Sequence, residues 1–269
     1  MTVEGFAEKS SYQNADCLIR CMKQKEHLFN IISEMGMYPR FNEEKFEFLD
    51  VKYGDENLNQ LYIPMLCFCD IPLKNLTNHN LTYGNYAIAL TKSWGEKNKI
   101  SPIHYLYKNS DVYEQLRELF NLANIENNEV LYNYLFNRLF FTKPKEGIEN
   151  NEVIDKENGM TKTEPKFVLY TDEQEHRYVP NHANINTDIA QFYINKDLPL
   201  DELSNSLAVH NKYKLSFEVS DVKHIVLPSR GEKIELINNI INSQNIKNIE
   251  DKYELISKLI TLQEIEEDF

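Results

Sequence analysis

Glu173 and Glu175 stand two residues apart in FVLYTDEQEHRYV (167–179), where an apolar run passes straight into acid and then into Arg177-Tyr178-Val179. Asp and Glu are poor strand formers, so their presence here asks for a physical reason. In an extended strand, residues i and i+2 project from one face, which would set the two carboxylates side by side. Two such groups repel unless one is protonated or a cation lies between them. Arg20 follows an apolar run in ADCLIRC, and Thr91-Lys92-Ser93 follow another in YAIALTKS. An arginine, a hydroxyl and a carboxylate pair, each at the end of a strand-like run, are the parts from which an anion-binding, charge-stabilising site is built.

The same residues admit an architectural reading. Glu175 and Arg177 are also i and i+2, so they can pair with each other, and charged residues on an edge strand are an ordinary defence against aggregation. Cys17-x3-Cys21 or Cys67-x-Cys69 could supply zinc ligands, the second pair together with His79. Neither spacing is the usual knuckle and no fourth ligand is evident, so buried thiols without metal are the preferred reading. His79 with Tyr83 and Asp70 could form an acid–base cluster, or His79 could cap local backbone. His104 lies in an alternating segment and reads as a core or edge residue. Trp94, the single tryptophan, is expected to pack at the end of its strand.

Five strand-like runs and several amphipathic helices must position these groups. Residues 16–21, 62–73, 83–95, 102–108 and 167–179 read as strands. KQKEHLFNIISEMG has apolar residues at Leu28, Ile31, Ile32 and Met35, a helical spacing with Gly36 as its stop. Asp111 to Leu122 should place Val112, Leu116, Leu119 and Phe120 on one face, and Glu129 to Phe141 should do so with Val130, Tyr134, Leu135, Leu139 and Phe140. LDELSNSLAVH reads as a helix, KLSFEV and KHIVLP as strands, and two amphipathic helices form a C-terminal pair over 229–265. Residues 142–165 are charged and poor in apolar side chains, which predicts a mobile insertion. Strands scattered among helices predict one α+β domain over 1–269, with a single mixed or antiparallel sheet and flanking helices.

The chain has 269 residues, is 42% hydrophobic and carries a formal net charge of −13. It can bury a substantial core, and its acidity argues against non-specific binding to nucleic acid. No apolar run approaches the ~20 residues of a membrane span, and the N-terminus is polar. A cytoplasmic protein with reduced thiols and no resident metal or cofactor is the expectation.

Four stretches resemble the AbiGi-type abortive-infection phage-resistance proteins of bacteria: ADCLIRCMKQKEHLFNIISEMGMYPRF, IPMLCFCDIPL, YGNYAIALTKSWGEKNKISPIHYLYKNS and YTDEQEHRYVP. The resemblance covers roughly residues 15–230. It implies antiphage defence in a system like a toxin–antitoxin pair, with a toxin or a phage protein as partner and this chain as sensor, regulator or partner component. The order Arg, Ser/Thr, Glu-x-Glu also resembles the arginine-type ADP-ribosyltransferases, which implies an alternative: an NAD-using transferase effector with an ADP-ribosyltransferase-like fold. Under that resemblance Arg20 binds NAD phosphate, Ser93 supports the site, Glu175 is the catalytic carboxylate and Glu173 orients the acceptor. His79 joins Arg20 and Ser93 as a candidate cofactor contact.

Overall fold

The computed structural model describes residues 15–76, 83–154, 161–182, 185 and 187–268. The protein is α+β, with a mixed, mostly antiparallel main sheet. It divides into two compact units, one of residues 1–35, 69–95 and 217–269, the other of residues 36–68 and 96–216. Among the described residues no helix is long and apolar enough to cross a membrane.

In the first unit the strand Cys17–Met22 pairs antiparallel with Tyr86–Thr91 along its whole length, from Cys17 opposite Thr91 to Met22 opposite Tyr86. Val222–Leu227 adds to the far side of Tyr86–Thr91, with a bulge between Val222 and His224. Leu259–Thr261 then joins parallel to Val222–Leu227. The expected second C-terminal helix is therefore interrupted: it ends at Ser257, and Leu259-Ile260-Thr261 form a strand before a helix resumes at Leu262. The open edge of Val222–Leu227 recruits these β-favouring residues, and their backbone groups complete the ladder. Helix Lys25–Glu34 buries Leu28, Ile31 and Ile32 as its spacing predicts. Its stop is Met35, at φ 48 in the left-handed region, and not Gly36.

The second unit is built on the strand Gln60–Cys69, of which residues 60–68 belong to it. Arg40–Lys45 pairs with it antiparallel, from Arg40 opposite Met65 to Lys45 opposite Gln60. Glu175–Tyr178 lies beside it and pairs on its other side with Ser101–Pro102. Two helices, Asp111–Glu126 and Glu129–Leu139, begin at Ser110 and Asn128, whose side chains accept backbone N–H groups of Tyr113 and Leu131. Phe120, Leu135, Phe136 and Leu139 from these helices pack with Phe46, Leu49, Leu58 and Ile63 into one apolar core.

One expectation changes in this unit. FVLYTDEQEHRYV is not one strand. A strand ends at Leu169, a tight 3-10 turn occupies Tyr170–Glu173, Gln174 takes φ 43, and a new strand starts at Glu175. The acidic residues that looked foreign to a strand are in the turn and at the strand's first position, where they compete less with the ladder. Residues 146–154 and 161–169, sparse in apolar side chains, form a two-stranded antiparallel ribbon with Glu146 opposite Leu169.

Candidate functional site

Glu175–Tyr178 alternates: Glu175 and Arg177 are buried, and His176 and Tyr178 are not. The buried face thus carries the two charged residues, as the i, i+2 spacing allows. Arg177 is 0% exposed. Its Nε donates to Glu175 Oε1 at 2.6 Å and its Nη2 to Glu175 Oε2 at 3.3 Å. Nη2 also donates to Glu44 Oε1 at 2.9 Å, and Nη1 to the carbonyl of Phe140 at 2.9 Å. Every nitrogen of the guanidinium therefore has an acceptor, which is the condition under which a buried charge is tolerated.

Lys143 extends the network. Its Nζ lies 3.0 Å from Glu173 Oε2 and 3.1 Å from Glu175 Oε2, and 4.7 Å from the centre of the Tyr170 ring. The two glutamates of the Glu-x-Glu are thus brought together by one ammonium between them, the arrangement that relieves their repulsion. The Cys67 thiol also hydrogen-bonds Glu175. The Tyr105 hydroxyl accepts the Glu175 backbone N–H at 2.9 Å, and the Glu175 carbonyl accepts from Ile103. Burial pushes the Glu175 carboxyl up, but Arg177 and Lys143 outweigh it and hold it down at about 2. Burial works against the charge on Lys143 too, and Glu175, Glu44 and Glu173 more than restore it. Glu175 is an ionised carboxylate whose two oxygens face Arg177 and Lys143. A cleft of about 360 Å³ opens beside the network, walled by Glu44, Lys143, Pro144, Ile148 and Tyr170.

The strand that carries this pair is not an edge strand, since it has a neighbour on each side. The ion pair with Arg177 is present, and its purpose is not protection of an open edge. Glu44 and Lys143, which complete the network, were not among the residues singled out by the sequence. Neither RFNEEK nor TKP carries a local pattern that points to residues 175–177.

Arg20 and Ser93 lie in the first unit. Arg20 is half-buried opposite Ile88, on the sheet face of Leu18 and Met22, whereas Cys17, Ile19 and Cys21 alternate to the other face. Ser93 is an exposed residue in the helix Lys92–Lys97, and its hydroxyl donates to Thr91 Oγ1 at 3.2 Å. Thr91 Oγ1 also accepts the Trp94 backbone N–H, so it acts as the cap of that helix, and Trp94 is buried there. Asp70 is buried and takes an ion pair from Lys92 at 2.8 Å. His79 lies outside the described residues. Cys17 and Cys69 are buried free thiols in the core of this unit, with Cys21 packed against them. Burial pushes the Cys17 thiol up to about 12, a packing residue's behaviour and not a thiolate's. His104 stands at the start of a short strand that pairs with Thr142–Pro144.

No solved structure matches this chain. A family model described as "Putative abortive phage resistance protein AbiGi, antitoxin" matches residues 35–228. An abortive phage resistance protein AbiGi of Lactococcus lactis subsp. cremoris is 32% identical over 263 residues, an alignment that covers 87% of this chain and all of that protein. The four stretches that suggested the relationship are thus part of a likeness that runs through both units, and the chain belongs to the AbiGi family of abortive-infection phage-resistance proteins.

Proposed function

We propose that this protein is the antitoxin-like member of an abortive-infection system, which restrains a protein toxin by binding it until phage infection releases the restraint. The observation that carries this reading is the match of residues 35–228 to a family described as an antitoxin. The buried network is in keeping with it. A carboxylate locked between Arg177 and Lys143 serves to hold strands and turns in place, and a rigid scaffold is what a stoichiometric binder needs, because pre-organisation reduces the ordering entropy lost on association.

The test is genetic. In a host that carries the complete defence locus, removing this chain alone should arrest or slow growth without phage, and supplying it in trans should restore growth. If its removal leaves uninfected growth unchanged, the antitoxin reading is wrong.

A further inference from the structure

The helix Asp111–Glu126 carries two apolar stripes. Tyr113, Phe120 and Ala123 recur at i, i+7 and i+10 and are buried. Val112, Leu119 and Leu122 recur at the same spacing one residue earlier, about 100° around the helix, and are exposed. Ile125, 83% exposed, continues the outer stripe around the helix. The next helix repeats the feature: Val130, 80% exposed, and Tyr134 lie one turn apart, with the Arg138 guanidinium 5.1 Å over the Tyr134 ring. Six of the fifteen large apolar side chains exposed among the described residues fall between positions 112 and 134. Scattered apolar residues need no explanation, but such a concentration marks an interaction surface.

The carboxylates interleaved with the outer stripe specify the partner. Asp111, Glu118 and Glu126 are exposed on the same side of the helix, and among the described residues none of the three forms an ion pair. Arg117, the cation of this helix, is turned to Glu114 and Asp50. Pairing of this face with a second copy of itself would set these carboxylates against one another, on a chain that already carries a net charge of −13.

We infer that the outer stripe of Asp111–Glu126, centred on Leu119 and Leu122, is the docking surface for the restrained protein partner, and that the partner offers an apolar groove bordered by Lys or Arg. The inference rests on the antitoxin reading and adds the surface and the chemistry of the partner. A lysine placed in the stripe both breaks the apolar contact and repels a basic border.

The experiment uses the complete defence locus with three versions of the chain: a deletion, Leu119→Lys/Leu122→Lys, and Glu118→Lys/Glu126→Lys. The expected result is that both double variants accumulate, melt with the parent protein and still arrest growth as the deletion does. Ile234→Lys/Tyr253→Lys, which alters exposed apolar residues of the first unit, should grow normally. If the deletion arrests growth and Leu119→Lys/Leu122→Lys does not, the docking surface is refuted and the antitoxin reading stands. If only the glutamate pair is tolerated, the basic partner is refuted. If the deletion is silent, both readings fall. Sedimentation of the purified chain supplies the remaining arm: a dimer that Leu119→Lys/Leu122→Lys dissociates would make the occupant a second copy and overturn the proposal.

Discussion

The second unit inverts the usual placement of residues in two regions. On the strand Glu175–Tyr178 it buries charge, and on the helix Asp111–Glu126 it exposes leucine and valine. The charged residues inside are saturated: Arg177 has four acceptor contacts, and Lys143 bridges Glu173 and Glu175. The apolar residues outside have no such complement. A buried network whose charges answer one another ties strand, turn and neighbouring segment together. An unsatisfied apolar stripe gains by being covered, so it is where a partner's binding energy is available.

The sharpest way to break this contrast is to remove the centre of the network. Arg177→Met should leave Glu44 without its ion pair and Glu175 with Lys143 alone, and destabilise the fold by about 3–5 kcal/mol, read from the midpoint of urea denaturation. Acid should have a smaller effect by the same route. Glu175 is held at about 2 when folded against an ordinary value of 4.5. A depressed carboxyl contributes stability that is complete above the unfolded value and is lost as pH falls through the folded one. Stability should therefore drop between about pH 4.5 and 2, and Glu175→Gln should flatten that slope. Leu119→Lys/Leu122→Lys lies at the other end of the scale. Its effect on stability should stay within about 0.5 kcal/mol per site, as for any exposed position, although its effect on growth in the defence locus should be large. A midpoint shift of several kcal/mol would show that the stripe is packed and end the contrast. The ribbon Glu146–Ile154 with Thr161–Leu169 sharpens it in time: a ribbon of two strands is marginal by itself, so its amides should exchange hydrogen before those of Gln60–Cys69.

Local patterns made part of this legible. The period-2 spacing of Glu175 and Arg177 placed them on one face, and the helical spacing of Leu28, Ile31 and Ile32 identified a buried stripe. Their long-range partners were invisible, because nothing within RFNEEK or TKP encodes proximity to residues 175–177. The break at Tyr170–Glu173 was missed because it depends on Gln174 at positive φ, a conformation more typical of Gly or Asn. Periodicity groups Val112 and Leu119 with Phe120, and Val130 and Tyr134 with Leu135, and the structure buries Phe120 and Leu135 while it leaves the other four exposed. Periodicity reports that a face is apolar and not whether its partner belongs to the same chain. That ambiguity is the trace an interface leaves in a sequence.

Glu175 is the counter-ion of Arg177 and Lys143, and we propose that it contributes to defence through the fold. Glu175→Gln keeps the shape and removes the charge, so thermal melting and plaque protection measured on the same variant decide it. The expected result is a lowered melting temperature, with about 1–3 kcal/mol lost, and full protection at growth temperatures well below that melting point. An unshifted melting temperature together with loss of protection would contradict it, and would make Glu175 a group that acts on a ligand.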